Sequence, residues 1–343
     1  MGRPDRDPEA VRVRRIAPMA LLLLLLLSAG CTDTAEERTV LRVVAAGSVL
    51  APLSEIEAEY ERQYPGVDVR IEGHGSIQVI RQVTDLHRPV DVVIVADESL
   101  IPELMYRPMA PGAENFTDGY IPFATNAMVI AYTDGSAGAG EITPENWHEI
   151  LARPDVRVGF SNPILDACGY RALMVAKLAE GYYGDDSIFS ETIGNHLTPP
   201  PVVTASPGST EIALAEMVKP EGQKVGIRDG SVFLLALLDA GGLDYAFEYR
   251  SVAEDHGLRW IDLPAEIDLS SDEYAEEYRK VTVRLGFQRF SSIGLERPGL
   301  PIVYAVAIPA NAPNPDEAER FIGFMLEAFG EGRQGWPEPI RRG

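Results

Sequence analysis

The stretch Asn162-Pro163-Ile164-Leu165-Asp166-Ala167-Cys168-Gly169-Tyr170-Arg171 lies between a strand-like segment, Val156 to Phe160, and a helical run, Ala172 to Leu178. A helix start offers unpaired backbone N–H groups and the positive end of a dipole, so it is a ready seat for an anion. A carboxylate at Asp166 in the same turn should repel that anion. Two readings answer this: Asp166 caps the helix, or the anion has a metal centre that a carboxylate oxygen can approach. Gly47-Ser48 and Gly75-Ser76 each bring a hydroxyl and the first free N–H groups of a helix together, which suits a small oxyanion. Taken singly, each pair also reads as a cap. Arg228-Asp229-Gly230-Ser231-Val232 is a further strand-to-helix turn. Apart from Arg171 and Arg228 at their edges, these turns hold no Lys or Arg. Such a site must work through preorganised donors, each charge-assisted bond contributing about 1.5–3 kcal/mol.

The elements that position these turns alternate strand and helix. Leu41 to Ala46, Val67 to Glu72 and Val90 to Ala96 read as strands, with helical spacing over Leu50 to Tyr64 and Ile77 to Leu86. Repeated β-α-β units imply a parallel sheet wrapped by helices, with ligands at the carboxyl ends of the strands. Ala127 to Ala131 is the first crossing into a second lobe. That lobe is predicted to hold the helix Glu145 to Ala152, the strand Val156 to Phe160 and a helix ending near Tyr183. A helix around Thr210 to Val218, a strand Lys224 to Ile227, a helix Phe233 to Ala240 and a strand Asp244 to Ser251 follow. Near Leu258 to Leu263 the chain is predicted to rejoin the first lobe, which Val303 to Ile308 and a helix Glu317 to Phe329 complete. The expectation is therefore an α/β protein of two lobes, residues 40–124 with 256–330 and residues 125–255, followed by a tail, 331–343. Two lobes joined by two crossings describe a hinge-closing binding protein.

Arg12, Arg14 and Arg15, then Ala20 to Leu27 with seven consecutive leucines, then Ser28-Ala29-Gly30-Cys31 read as an export signal. The apolar run is too short for a permanent membrane helix. Cys31 after Ser-Ala-Gly resembles a bacterial lipobox, which would make residues 1–31 a lipoprotein signal with its lipidated cysteine and residues 32–39 a tether; an ordinary cleaved signal is the plainer reading. With Cys31 lipidated, Cys168 is alone and no disulfide framework exists. The formal net charge of the 343 residues is −22, and residues 1–30 carry five Arg against three acids, so the rest is more acidic still. That balance argues against nucleic acid or an anionic membrane surface as a partner. Any anion site must be local.

An enzyme is not expected. There is no Gly-x-Ser-x-Gly elbow, and His74, His87, His148, His196 and His256 show no metal-ligand spacing. Those five read as surface or structural residues. Cys168 sits where a helix start lowers a thiol pKa, yet no His is close in sequence to support a nucleophile.

Ala45-Ala46-Gly47-Ser48, Gly75-Ser76, Asp91-Val92-Val93, Asp166 to Arg171 and Leu243 to Ala253 together resemble the solute-binding components of molybdate and tungstate ABC importers. The resemblance is closer to the archaeal-type tungstate/molybdate branch and runs from about Leu41 to Phe329. It implies a type II periplasmic-binding-protein fold, tungstate or molybdate as ligand, no cofactor, and an exported, monomeric, lipid-anchored receptor serving an ABC permease and its ATPase. It also implies hydroxyl and amide contacts from Ser48 and Ser76, amides at Ala167 or Cys168 and at Val232, and the Tyr249 hydroxyl. Of the branch's two metal-approaching carboxylates, Asp166 matches the first. The second would be Glu at position 231, where this chain has Ser231. That departure leaves one carboxylate, or a tetrahedral site with Ser231 as another hydroxyl, or substitution by Asp229 or Glu248. Glu248 precedes Tyr249 on a strand, so the two should face opposite sides, and an ion pair with Arg250 or a hinge contact is its plainer role. Sulfate, phosphate or another small anion is the alternative ligand. Phosphate carrying a proton is told apart by the hydrogen bond it donates, sulfate by its smaller size.

Overall fold

Strands β1 (Thr39–Ala46), β2 (Val67–His74) and β3 (Val92–Val95) run parallel with β1 in the middle. Val43 to Ala46 are all buried, because a central parallel strand is covered on both faces. Helix Leu50–Gln63 turns Leu53, Ile56 and Tyr60 inward, at spacings of three and four residues. Its Pro52 lies in the first turn, where a missing N–H costs nothing. Helix Ser76–Thr84 buries Ile77, Ile80 and Val83 in the same way. After β4 (Ile121–Thr125) only Asn126 and Ala127 intervene before β5 (Met128–Tyr132), which belongs to a second sheet. This is the first crossing.

The chain continues through β6 (Val158–Ser161), β7 (Leu197–Thr198), β8 (Val202–Ser206), β9 (Ser209–Ala213), β10 (Lys219–Pro220) and β11 (Val225–Arg228). Next come β12 (Tyr245–Tyr249), β13 (Arg259–Asp262), β14 (Val281–Arg284), β15 (Glu296–Pro298), β16 (Val303–Ala307) and β17 (Glu338–Pro339). The first sheet has the order β17-β4-β16-β3-β1-β2 and the second β11-β6-β12-β5-β13. A four-stranded sheet, β15-β14-β9-β8, and the pair β10-β7 complete the fold. Helix Ala167–Tyr183 is buried over 13 of its 17 residues, packed against β6 and β12 on one side and β14 on another. It stops at Gly184, whose φ of 72° forms a left-handed cap. This computed structural model describes Gly2, residues 38–286 and residues 296–340. The chain divides into two units, Met1–Arg38 and Thr39–Gly343, and everything above concerns the second. The expected signal, Cys31 and most of the tether lie outside the described residues. Among those described, no helix is long and apolar enough to cross a membrane.

The two-lobed α/β architecture matches the sequence reading, with differences in detail. Each sheet is mixed: β1, β2 and β3 are parallel, as are β11, β6 and β12, while the strands that carry the crossings pair antiparallel. β13 pairs with β5, so the chain does not rejoin the first lobe at 256; it adds a strand to the second sheet and returns only with β16. The predicted helix at Thr210 to Val218 is strand β9 in a hairpin with β8. Residues 331–343 are not a free tail as far as they are described, since β17 extends the first sheet beside β4.

Candidate functional site

The first and second sheets meet through the turns singled out in the sequence. Gly75 has the ordinary φ of −64°, but a Cβ built there would lie 2.4 Å from Leu165 O and 2.7 Å from Asp166 Cβ. Glycine is needed for contact between the lobes and not for its own backbone. Ile77 N and Gln78 N both donate to Leu165 O, at 3.1 and 3.2 Å. Gly169 is needed for packing inside the second lobe, where a Cβ would stand 2.2 Å from Ser161 O of β6.

Asp166 occupies the cap position of helix Ala167–Tyr183 in extended conformation, yet its side chain makes no capping bond to that helix. The capping reading therefore fails. Its Oδ1 accepts from Ser76 N at 3.4 Å and its Oδ2 from Ser231 N at 3.2 Å, so the carboxylate reaches across the lobes. Burial raises its pKa, and the Ser161 hydroxyl, the two amides and Arg171 oppose that rise. The two Gly-Ser serines do not cap either. Ser48 Oγ accepts from Tyr304 Oη at 2.9 Å and Ser76 Oγ accepts from Ala96 N at 3.0 Å. Tyr249 Oη accepts from Arg171 Nη1 at 2.8 Å. Each hydroxyl takes a hydrogen bond from the protein and keeps its own proton to give.

Ser48, Asp166, Ser231, Val232 and Tyr249 line one small cavity with Gly47, Gly73, His74, Gly230 and Phe233. It encloses about 10 Å³, little more than one water. An ion must part the lobes to enter or widen it. Ser76 is fully buried and does not line it, touching the lining only through its amide's bond to Asp166. Ala167 and Cys168 are buried and do not line it; Cys168 Sγ donates to Phe247 O at 3.6 Å. Burial, Glu248 and Asp166 push that thiol well up, so it stays protonated. Asp229 is exposed and also absent from the lining, which removes it as a substitute carboxylate.

Glu248 is fully buried beside Cys168, with Oε1 accepting from Tyr249 N at 2.8 Å and Oε2 unpaired. It does not line the cavity, whereas its neighbour Tyr249 does. Burial pushes its pKa up to about 8, against the pull of the Tyr249 amide and the Ser231 hydroxyl. Burial therefore favours its protonated form at neutral pH. The ion pair considered with Arg250 is absent, because Arg250 Nε faces Asp262 Oδ1 at 3.6 Å.

Four residues at or around the site had no role in the sequence reading. His74, read as surface or structural, lines the cavity. Arg171, read as an edge residue, is 2% exposed and ties the lobes by donating to Ala96 O at 2.7 Å as well as to Tyr249. Beside it Tyr170 Oη donates to Asp97, whose carboxyl burial would raise but Arg171, Arg297 and its hydrogen bonds hold below the usual range. Tyr304, on the returning strand β16, had no local signal at all. His74 alone was accessible in principle, as the last residue of β2, directly before the Gly75-Ser76 turn.

Two mixed sheets joined by crossings and closing on a pocket of inward hydroxyls and amides define a two-lobed solute-binding protein. The chain belongs to the bacterial extracellular solute-binding protein family, which it matches over residues 41–332. It is 40% identical over 326 residues to the molybdate/tungstate-binding protein WtpA of Pyrococcus abyssi, covering 92% of this chain and 89% of that one. A solute-binding protein of Methanoculleus marisnigri is also 40% identical, covering 91% of this chain and 88% of its own. Among solved structures, the periplasmic molybdate-binding protein of Azotobacter vinelandii shares the fold, with a TM-score of 0.52 at 16% identity, covering 88% of this chain and 100% of that one.

Proposed function

We propose that the protein captures tungstate or molybdate between its lobes and delivers it to an ABC permease driven by a cytoplasmic ATPase. The observation that carries this reading is the committed polarity of the pocket. Ser48 and Tyr249 each spend an acceptor position on the protein, leaving two O–H donors in the lining for a ligand, while Asp166, braced by the Ser76 amide, supplies the one carboxylate in that lining. Donors alone would suit any dianion. A carboxylate in their midst suits one whose central atom is a metal with room for another oxygen. The similarity to the Pyrococcus abyssi protein supports the same ligand class. With Ser231 in place of a second carboxylate, position 231 offers a hydroxyl and, once Asp166 turns to the metal, the amide that Asp166 otherwise holds, and Asp166 alone approaches the metal. Catalysis and a cofactor form no part of the proposal: a deeply buried, protonated Cys168 suits a binder. The protein acts as a monomer, exported and held to the membrane by lipid on Cys31.

Calorimetric titration of the purified protein with tungstate, molybdate, sulfate and phosphate at matched pH and ionic strength tests the ligand. Tight binding of the first two with little of the others is expected; binding led by sulfate or phosphate overturns the proposal. Cys31→Ser should shift the protein from the membrane fraction to the soluble one, and a variant that stays with the membrane defeats the lipid anchor.

A further inference from the structure

Asn126 stands in the first crossing, 7% exposed, and its amide orientation is dictated by the backbone. Oδ1 accepts from Ala127 N at 3.0 Å and from Ser251 N at 3.3 Å, so Nδ2 must be the group that faces Ser251 Oγ at 2.8 Å and Tyr304 Oη at 3.2 Å. An amide NH₂ only donates. Tyr304, fully buried on β16, therefore accepts from Asn126, and its single proton goes to Ser48 Oγ at 2.9 Å. Ser48, with that lone pair used, must send its own proton onward, and it is the member of the chain that lines the ligand cavity. Burial raises the Tyr304 phenol, so the relay does not break by ionisation.

We propose that Asn126 and Tyr304 are positioning residues: a one-way hydrogen-bond relay from the hinge crossing that commits Ser48 to donating into the cleft. The inference rests on the oxyanion reading and deepens it. A Ser48 that cannot turn its proton away favours an oxyanion bearing no proton at that oxygen. Released from Tyr304, the same hydroxyl can rotate and accept the proton of hydrogen phosphate. Ser251 follows β12 of the second sheet while Tyr304 lies in the first, so the relay is assembled across the hinge itself.

The test is a double-mutant cycle on the full protein, with tungstate affinity, phosphate affinity and thermal midpoint measured for Tyr304→Phe, Ser48→Ala and both together. Tyr304→Phe should weaken tungstate about five- to tenfold, the worth of one hydrogen bond, narrow the preference for tungstate over phosphate, and leave the midpoint nearly unchanged. In the Ser48→Ala background it should have no further effect. Asn126→Asp, which cannot donate, should reverse the relay and cost as much as Ser48→Ala. An unchanged Tyr304→Phe affinity, or a loss that persists without Ser48, overturns the relay. Failure of the unaltered protein to bind tungstate is a separate result and overturns the oxyanion reading beneath it.

Discussion

Asp166 places a carboxylate against two amides that would otherwise be free to hold an anion. If its oxygen approaches a metal centre, Asp166→Ala should weaken tungstate binding about tenfold or more in a calorimetric titration without loss of fold. Tighter binding in that variant would mean that the carboxylate only competes for the amides. Glu248 makes a different demand. The unfolded chain loses this proton near pH 4.5 while the native state holds it to about pH 8. Between those values the native state binds more protons, so this group's contribution to stability falls as pH rises, by about 1.4 kcal/mol per unit. Glu248→Gln should remove that slope in denaturant titrations from pH 5 to 8, and identical slopes for the two proteins would contradict the raised pKa. At this scale the sequence disclosed the donors, because Gly-Ser and Gly-containing turns at strand ends have local signatures. It did not disclose their partners, since Tyr304 and Arg171 meet Ser48 and Tyr249 from 256 and 78 residues away.

Strands and helices set the closure. Gly75 and the Leu165-Asp166 turn belong to different lobes and touch only when those lobes meet. Gly75→Ala fits the first lobe's own backbone and clashes on closure, so it should reduce ligand affinity about tenfold or more and keep the ligand-free protein extended in small-angle scattering. Unaltered affinity would show that the clash is relieved elsewhere. The β-α-β order of the first three strands was legible because buried parallel strands are apolar throughout and their helices keep a period near 3.6. β8 was not, because all five of its residues are exposed and give no alternation to read. β13 and the long way home through β14 and β15 failed for a related reason. Strands of only three or four residues look alike whichever sheet they join, and only pairing decides.

For the whole molecule, acidity and function pull apart. A net charge of −22 repels a dianion at long range, while the pocket attracts it only at contact. Raising ionic strength from about 10 to 150 mM, where the Debye length falls from about 30 to 8 Å, should therefore speed association in stopped-flow experiments. A site relying on a basic surface would slow instead. The acidity and the two-lobed plan could be read from composition and pattern; the clamp of Arg171 and Tyr170 on the end of β3, which holds the lobes together, could not, because it is a contact between surfaces formed only after each lobe has folded. The most direct test of the account is anomalous diffraction at the tungsten edge from crystals grown with tungstate. One dominant peak is expected in the cleft between Ser48 Oγ, Tyr249 Oη and the Ser231 amide, with an Asp166 oxygen turned toward it. A peak outside the cleft, or none at saturating tungstate, would contradict it.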